Sequence, residues 1–265
     1  MKLFLGFARQ AFHESAMYRL EFWMQVLANF ALMYGAFWLW NTLYASRPEG
    51  FGVSLQQMLT YAMLAMALNT VFGPLSWVRY YITEQVRTGA IQMDLLRPLD
   101  FQYHLLARSA GLMLFSLATF GVVTFLSGAL FLGLGPPADL RSGLLFLFSL
   151  VLAFLVDFAQ NFLIGMISIY SIGARRINWV YQAVMRFFSG QMVPLWIFPP
   201  LLGQIALLLP FQAMVGIPLS IYIGRLPIEA VWSALALQLF WAVALLVLGR
   251  LVWRHAHSRL IVQGG

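Results

Sequence analysis

The chain contains no cysteine, one lysine and few charged residues of either sign. Without cysteine there is no disulfide framework, thiol nucleophile or thiolate metal site. A phosphate-binding P-loop needs a lysine after its glycines to reach the phosphates, and the only lysine is Lys2. The sequence therefore excludes a Walker-type ATPase within this polypeptide.

Motifs of catalysis are missing as well. The four histidines show no HExxH spacing, and no GxSxG nucleophile elbow occurs. We therefore predict no catalytic residue, no metal site and no cofactor in this chain.

Long apolar runs take the place of charge. The chain is 62% hydrophobic and 9% charged, whereas a soluble domain has roughly 25% charged residues. Six runs are each long enough for a hydrocarbon core, which needs roughly 20 apolar residues. This pattern predicts an all-α polytopic membrane protein, a single domain over residues 1–265, with spans at Phe22–Tyr44, Leu55–Val78, Leu105–Leu134, Gly143–Ile172, Ile177–Phe198 and Pro227–Gly249.

Basic residues are divided unequally between the two sides of these spans. With both termini cytoplasmic, twelve of them fall on the inner side, three lie in outer loops, and Arg186 alone lies within a span. Cytoplasmic segments are the ones enriched in Arg and Lys, so both termini are expected to be cytoplasmic. Arginines spread over several loops in this way act as topology signals, and we predict no nucleic-acid partner.

The opening segment, residues 1–21, has an apolar face with Phe4, Phe7 and Ala11 opposite a polar face with Lys2 and Arg9. Such a pattern indicates an interfacial helix on the inner leaflet. A frayed lead-in to the first span would show a similar pattern, and both interpretations stay open.

A cytosolic loop, residues 79–104, follows the second span and reads as two short helices with a hinge. Glu84 and Arg87 can pair at i, i+3, and Gly89 is placed to end the first helix. Pro98 must stop the second helix, which carries Leu95 and Leu96.

Exposing the apolar side chains of this loop to water would be unfavourable. Leucines rimmed by Asp94, Arg97 and Asp100 would suit a docking surface for a soluble partner. Alternatively, the leucines return to the membrane surface.

The region Val193–Gly224 holds five of the eleven prolines, so a straight transmembrane helix is not expected there. We predict a re-entrant pair of half-helices within residues 193–226, entering from the outer face. The alternative is an amphipathic outer loop that packs on the bundle.

Asp157 stands near the middle of the fourth span, followed by Gln160 and Asn161. A carboxylate at mid-bilayer costs at least about 2.5 kcal/mol on insertion scales and is a functional candidate by default. Asp157 and Asn161 share a helical face, since they are four residues apart. Two interpretations stay open: a structural ion pair between Asp157 and Arg186, or a polar lining that contacts a substrate head group or a proton.

The stretch Arg87-Thr-Gly-Ala-Ile-Gln-Met-Asp-Leu-Leu-Arg-Pro-Leu-Asp100 is similar to the inner-loop signature of the small six-span permeases of ABC type-2 exporters. The order of interfacial helix, coupling helix after span two and broken outer hairpin resembles that family over the whole chain. The resemblance implies that the ATPase is contacted by Glu84, Arg87, Gly89, Asp94, Leu95, Leu96, Arg97 and Pro98.

The resemblance implies a function too. The chain would be the membrane-spanning subunit of an exporter in the bacterial plasma membrane, paired with a second permease, identical or similar. Two separate ATPase subunits would hold ATP and Mg²⁺. The cargo would be hydrophobic or amphipathic: a lipid, a drug or a natural product.

Rival functions remain. A non-transporting scaffold that recruits a cytosolic partner through residues 79–104 would need no polar mid-membrane face. An ion-coupled secondary transporter would show inverted repeats and several intramembrane charges, which this sequence does not display.

Overall fold

The computed structural model describes residues 6–7, 9–10, 19–47, 50–95, 100–170 and 174–262. All regular structure within these residues is helical. The helices are α1 (Arg19–Ser46), α2 (Leu55–Phe72), α3 (Trp77–Thr88), α4 (Ile91–Leu95), α5 (Phe101–Ser116), α6 (Val122–Phe131), α7 (Leu140–Met166), α8 (Ala174–Phe188), α9 (Pro200–Leu208), α10 (Gly216–Tyr222) and α11 (Ile228–Val262).

In two pairs of consecutive helices, the second helix continues directly from the first with no loop between them. A single 3-10 turn, Gly73–Ser76, joins α2 to α3, and a π-helical turn, Leu117–Gly121, joins α5 to α6. Pro74 near the start of the 3-10 turn lacks a backbone N–H, which accounts for the change of helix type at that point.

Four helical segments are long and apolar enough to cross a membrane within the described residues: Leu55–Thr88, Phe101–Phe131, Leu140–Ile169 and Ile228–Ala256. They contain most or all of the second, third, fourth and sixth predicted spans. Helix α1, with 28 residues, is also long enough to cross a membrane.

The predicted fifth span, Ile177–Phe198, is wrong as a single helix. Helix α8 has 15 residues and ends at Phe188, so at 1.5 Å per residue it is about 22 Å long. Gly190 adopts a φ of 82° directly afterwards, in the left-handed region that favours glycine. The chain turns there, and Pro194 lies outside the helix.

The proline-rich region folds as two short helices, as its prolines indicated. Helices α9 and α10 are joined by a 3-10 turn, Pro210–Ala213, and every residue of α10 is buried. The backbone N–H of Gly216 donates to the carbonyl of Ser189 at 2.9 Å. This hydrogen bond joins the start of α10 to the residue after α8, so the turn between α9 and α10 lies against the end of α8, inside the bundle.

Helix α7 lies at the centre and contacts α3, α10 and α11. Gly165 makes the contact with α3 possible, because a Cβ there would lie 2.8 Å from Ile82 Cδ1 and 3.1 Å from Arg79 Cα. We call the end of the bundle with residues 79–104 the loop end, and the end with residues 193–226 the hairpin end.

Candidate functional site: a buried polar cavity

A buried arginine joins α3 to α7. Arg79 follows the 3-10 turn, and 4% of its surface is exposed. Its Nη1 donates to Asn161 Oδ1 at 2.8 Å, and Asn161 Nδ2 in turn donates to the carbonyl of Asp157 at 2.9 Å. The guanidinium is thereby fixed against the polar face of α7.

Asp157 lies on that face with 3% of its surface exposed. Arg79 provides the favourable charge that acts on it. Asp157 Oδ2 and Arg79 Nε are buried without a hydrogen-bond partner among the described residues. Buried polar atoms are normally bonded, so these two atoms make this position a candidate site for a polar group.

Two tyrosines and a glutamine extend the network to α8 and to the hairpin. The Arg79 guanidinium lies 5.0 Å from the ring centroid of Tyr80 and 5.6 Å from that of Tyr181. The Tyr181 hydroxyl donates to Gln160 Oε1 at 3.2 Å, and Gln160 Nε2 donates to the sulfur of Met214 at 3.3 Å. Aromatic faces favour a cation held over them, so Arg79 is stabilised from several elements at once.

Arg79, Tyr80, Asp157, Asn161 and Met214 from this network line a cavity of about 220 Å³. Its walls come from α2, the 3-10 turn, α3, α7, α8 and the bend of the hairpin. The polar or charged lining residues are Asn69, Ser76, Arg79, Tyr80, Asp157, Asn161, Gln182, Arg186 and Gln191. The cavity therefore carries both hydrogen-bond donors and acceptors between the loop end and the hairpin.

The structure brings together the four residues predicted from the sequence at or beside this cavity, but it does not pair them as proposed. Asp157, Asn161 and Arg186 line the cavity, and Gln160 lies behind it. No Asp157–Arg186 ion pair exists in the part of the chain that the structure describes, so the structural-pair interpretation is wrong. The cation that acts on Asp157 is Arg79, which reaches α7 from α3.

The sequence reasoning missed Arg79 and Tyr181. It also missed the polar lining residues Asn69, Ser76, Tyr80, Gln182 and Gln191. From the sequence, Arg79 reads as an orientation charge at the end of a span. A usable signal is its position between an apolar run and the amphipathic segment that starts with Tyr80. The side chain of an arginine at this position can extend into water or pack inside the bundle. The periodicity of the sequence does not distinguish these two orientations.

The loop end shows part of the predicted geometry. Arg87 donates from Nη2 and Nε to the Glu84 carboxylate at 2.5 and 3.0 Å, and this hydrogen bonding raises the pKa of Arg87. Gly89 ends α3 with a φ of 73°. The predicted i, i+3 pair and the predicted helix end are both confirmed.

Asp94 does not lie on the rim of an exposed surface as expected. It is 8% exposed, and the Tyr81 hydroxyl donates to its Oδ2 at 2.8 Å. Ile91 is buried as well, whereas Met93 is 68% exposed. One side of the short helix α4 therefore packs on α3, and the side with Met93 is exposed.

Asp100, the third predicted rim residue, has structural contacts. It caps α5 by accepting from the Tyr103 N–H, and it pairs with Arg250 of α11. The Leu95 side chain and residues Leu96, Arg97 and Pro98 lie outside the described part of the chain.

The predicted interfacial helix, residues 1–21, falls mostly outside the described residues. Within it, the Phe7 ring stacks on His104 with a centroid distance of 4.5 Å. That contact places this part of the opening segment beside the start of α5.

Apolar helices around a buried polar cavity define an integral membrane protein, and the arrangement suits a transporter subunit. The chain belongs to the ABC-2 family transporter proteins, whose family model matches residues 30–264. No curated protein matches the chain.

Proposed function

We propose that this chain is the permease subunit of an ATP-driven exporter, which dimerises and moves a hydrophobic or amphipathic cargo outward. Two ATPase subunits would bind at the loop end and carry the ATP and Mg²⁺. The membrane would be the bacterial plasma membrane, with both chain termini in the cytoplasm.

One observation carries this proposal: the loop end connects directly to the polar cavity. The cavity residue Arg79 and the exposed pair Glu84–Arg87 lie on the same helix, α3. Helix α3 in turn continues from α2 through a single 3-10 turn. A force on the end of α3 reaches Arg79 without an intervening flexible loop. Close packing of α3 on Gly165 transmits the same displacement to α7.

The six-span topology belongs to this proposal. The four long segments would span the bilayer together with α1 and with α8, the latter completed by the turn that follows it. The hairpin α9–α10 would enter from the outer face and close the cavity from above. Irregular backbone at membrane depth requires protein or water around it, and the complete burial of α10 supports this placement.

The cavity would form part of the cargo path, with Asp157 facing the cargo's polar group. Asp157→Asn keeps the size of the side chain and removes its charge. We expect a folded protein, judged by its elution profile and its melting temperature, that has lost export. A variant that does not fold, or one that exports normally, would contradict a role in the path.

The decisive experiment is co-purification of this chain with candidate ATPase subunits in nanodiscs, with ATP hydrolysis recorded. The test variant is Leu95→Ala/Leu96→Ala, since truncating a buried anchor costs more than about 2 kcal/mol of binding, roughly thirtyfold in affinity. The matched control is Leu201→Ala/Leu208→Ala, two exposed leucines of α9 at the opposite end that line neither the polar cavity nor the larger cavity at that end.

The exporter proposal predicts stable association of the wild type and the control, and its loss in the test variant. If no ATPase subunit associates under any condition, the proposal fails and a scaffold becomes the better account. If both double variants lose the ATPase equally, residues 95 and 96 are not the docking anchors.

A further inference from the structure

A second, larger cavity lies at the hairpin end, separate from the polar cavity. It measures about 790 Å³ and lies between the α9–α10 hairpin and the first turns of α11. Its walls are mainly apolar and include Leu195, Phe198, Leu207, Ile217 and Leu237. Small-molecule sites typically measure about 300–1,000 Å³ and have apolar walls with a few polar groups, so this chamber has the size of a ligand site.

Arg225 is the one charged residue in the chamber's lining. Its guanidinium lies 4.4 Å from the ring centroid of Trp196. No carboxylate pairs with it and no acceptor receives its side-chain N–H groups among the described residues. An arginine fork with free donors matches a carboxylate or a phosphate.

Arg225 is an exposed residue whose backbone and side chain each make one contact. Its backbone N–H donates to the Ser220 carbonyl at 3.0 Å, directly after Gly224 with a φ of 68°. The Trp196 ring beneath it is itself held, because Trp196 Nε1 donates to the Phe51 carbonyl at 3.1 Å. The backbone bond and the Trp196 ring therefore place the positive charge beside the chamber.

We propose that this chamber binds an amphipathic anion, with its apolar chain between the hairpin and α11 and its anionic group against Arg225. Apolar walls exclude a purely hydrophilic anion, and a single unneutralised cation favours an anionic head over a zwitterionic one. A phospholipid of the bilayer and an exported amphipathic acid share this chemistry.

The test uses the purified full chain and two photoactivatable lipids with the same diazirine-bearing acyl chain, phosphatidylglycerol and phosphatidylcholine. Peptide mass spectrometry maps the crosslinked residues. We expect crosslinks within residues 195–237, with phosphatidylglycerol preferred by about tenfold, equivalent to about 1.4 kcal/mol. Arg225→Ala should abolish the preference and Arg225→Lys should keep part of it.

Two controls separate this site from general attraction of anionic lipid. Arg141→Ala removes an exposed arginine at the start of α7, outside the chamber's lining, and should leave the crosslinks unchanged. Ala234→Trp fills the chamber and should remove crosslinking by both lipids. Ala236→Trp, on the same helix but exposed and outside the lining, should not.

Equal crosslinking by the two lipids in the wild type would overturn the proposal. A preference unchanged in Arg225→Ala, or crosslinks located away from the chamber, would overturn it too. Since the binding measurement needs no ATPase subunit, its failure is independent of the proposed exporter function.

A further arm distinguishes the two sources of the ligand. In vesicles that also contain the ATPase partner, crosslinking that falls during ATP hydrolysis identifies the occupant as cargo. Crosslinking that stays constant identifies it as a resident bilayer lipid. Either result supports the chamber as a site for an amphipathic anion.

Discussion

The loop end and the hairpin end of the bundle are stabilised by different chemistry. At the loop end, charged side chains bond to other side chains, as in Arg79 with Asn161 and Arg250 with Asp100. At the hairpin end, neutral amides and hydroxyls donate to backbone carbonyls. Examples are Gln57 to Ile223, Tyr61 to Gly190, Tyr222 to Gly135 and Gln238 to Ala213.

The backbone of the two ends explains the difference. The hairpin end is built from short helices and turns, which leave carbonyls without helical partners, and buried carbonyls need a donor. The described loop-end residues lie mostly in the helices α3, α4 and α5, whose backbone groups bond to one another, so their side chains are available to bond to other side chains. Loop-end variants should therefore act through charge, and hairpin-end variants through the backbone.

The largest effect is expected for Arg79→Met. The variant leaves Asn161 Oδ1 without its donor and the buried Asp157 carboxylate without the positive charge that acts on it. Leaving a buried charge uncompensated typically costs 3–5 kcal/mol, so we expect a loss of about 4 kcal/mol in stability, measured by thermal unfolding in detergent. Adding Asp157→Asn should recover part of this loss, because no uncompensated carboxylate then remains.

Arg186→Met is the control for this prediction. Arg186 lines the same cavity but is exposed, and exposed substitutions usually change stability by no more than about 0.5 kcal/mol. Equal losses from the two arginine variants would contradict the assignment of Arg79 as the buried partner.

At the hairpin end, Gln238→Leu should cost about 3 kcal/mol, because each buried group left without a partner costs about 1–3 kcal/mol. Gln238 is fully buried, donates to the Ala213 carbonyl at 2.7 Å and accepts from the Ser149 hydroxyl at 2.8 Å. Hydrogen exchange should rise in residues 210–222, and the exposed Gln92→Leu should show neither change.

If Gln238→Leu were as stable as the wild type, the hairpin end would not depend on donors to its backbone. The comparison between the two ends would then fail at that point.

Gly165→Ala should destabilise the protein by about 2 kcal/mol, a typical cost of overpacking. The new methyl would meet Ile82 and the backbone of Arg79, pushing α3 away from α7. Gly35→Ala in α1 serves as the control, since no atom lies within 4 Å of its added Cβ, and it should stabilise the helix by up to about 1 kcal/mol. Similar melting temperatures for the two alanine variants would rule out the close α3–α7 contact.

The smallest effect is expected on the stability of the protein at acidic pH. The Ser142 N–H donates to Asp139 at the start of α7, which holds the pKa of Asp139 below its usual range. A depressed folded-state pKa stabilises the protein above the unfolded pKa of about 3.9, and this contribution is lost as the pH falls through the folded-state pKa. In Asp139→Asn the amide oxygen caps the helix without titrating. Between about pH 5 and pH 2, the melting temperature of this variant should therefore fall less than that of the wild type. A parallel loss in both proteins would exclude a role of this cap.

Part of the loop end could be predicted from the sequence, where its features are local. The Glu84–Arg87 pair and the glycine end of α3 depend only on residues within one or two helical turns. The break at residues 193–226 is also local, since proline removes a backbone donor wherever it stands.

Contacts between distant segments could not be predicted. Periodicity shows that Asp157 and Asn161 share a face, but it does not say which helix that face meets, so the sequence suggested Arg186 where the structure has Arg79. The close approach of α3 to α7 depends on the small size of Gly165, and the burial of Asp94 depends on Tyr81. Such facts become visible only when the helices are packed.

The orientation of the two ends is central to the proposed mechanism, which requires the loop end to face the cytoplasm and the ATPase while the hairpin end faces outward. A chain without cysteine allows a direct test with single cysteines at two matched positions, Met93→Cys (68% exposed) and Leu201→Cys (69% exposed). A membrane-impermeant maleimide applied to intact cells should label Leu201→Cys alone. After permeabilisation, Met93→Cys should be labelled, and bound ATPase subunits should protect it. Labelling of Met93→Cys from outside, or no protection by the ATPase, would contradict this orientation.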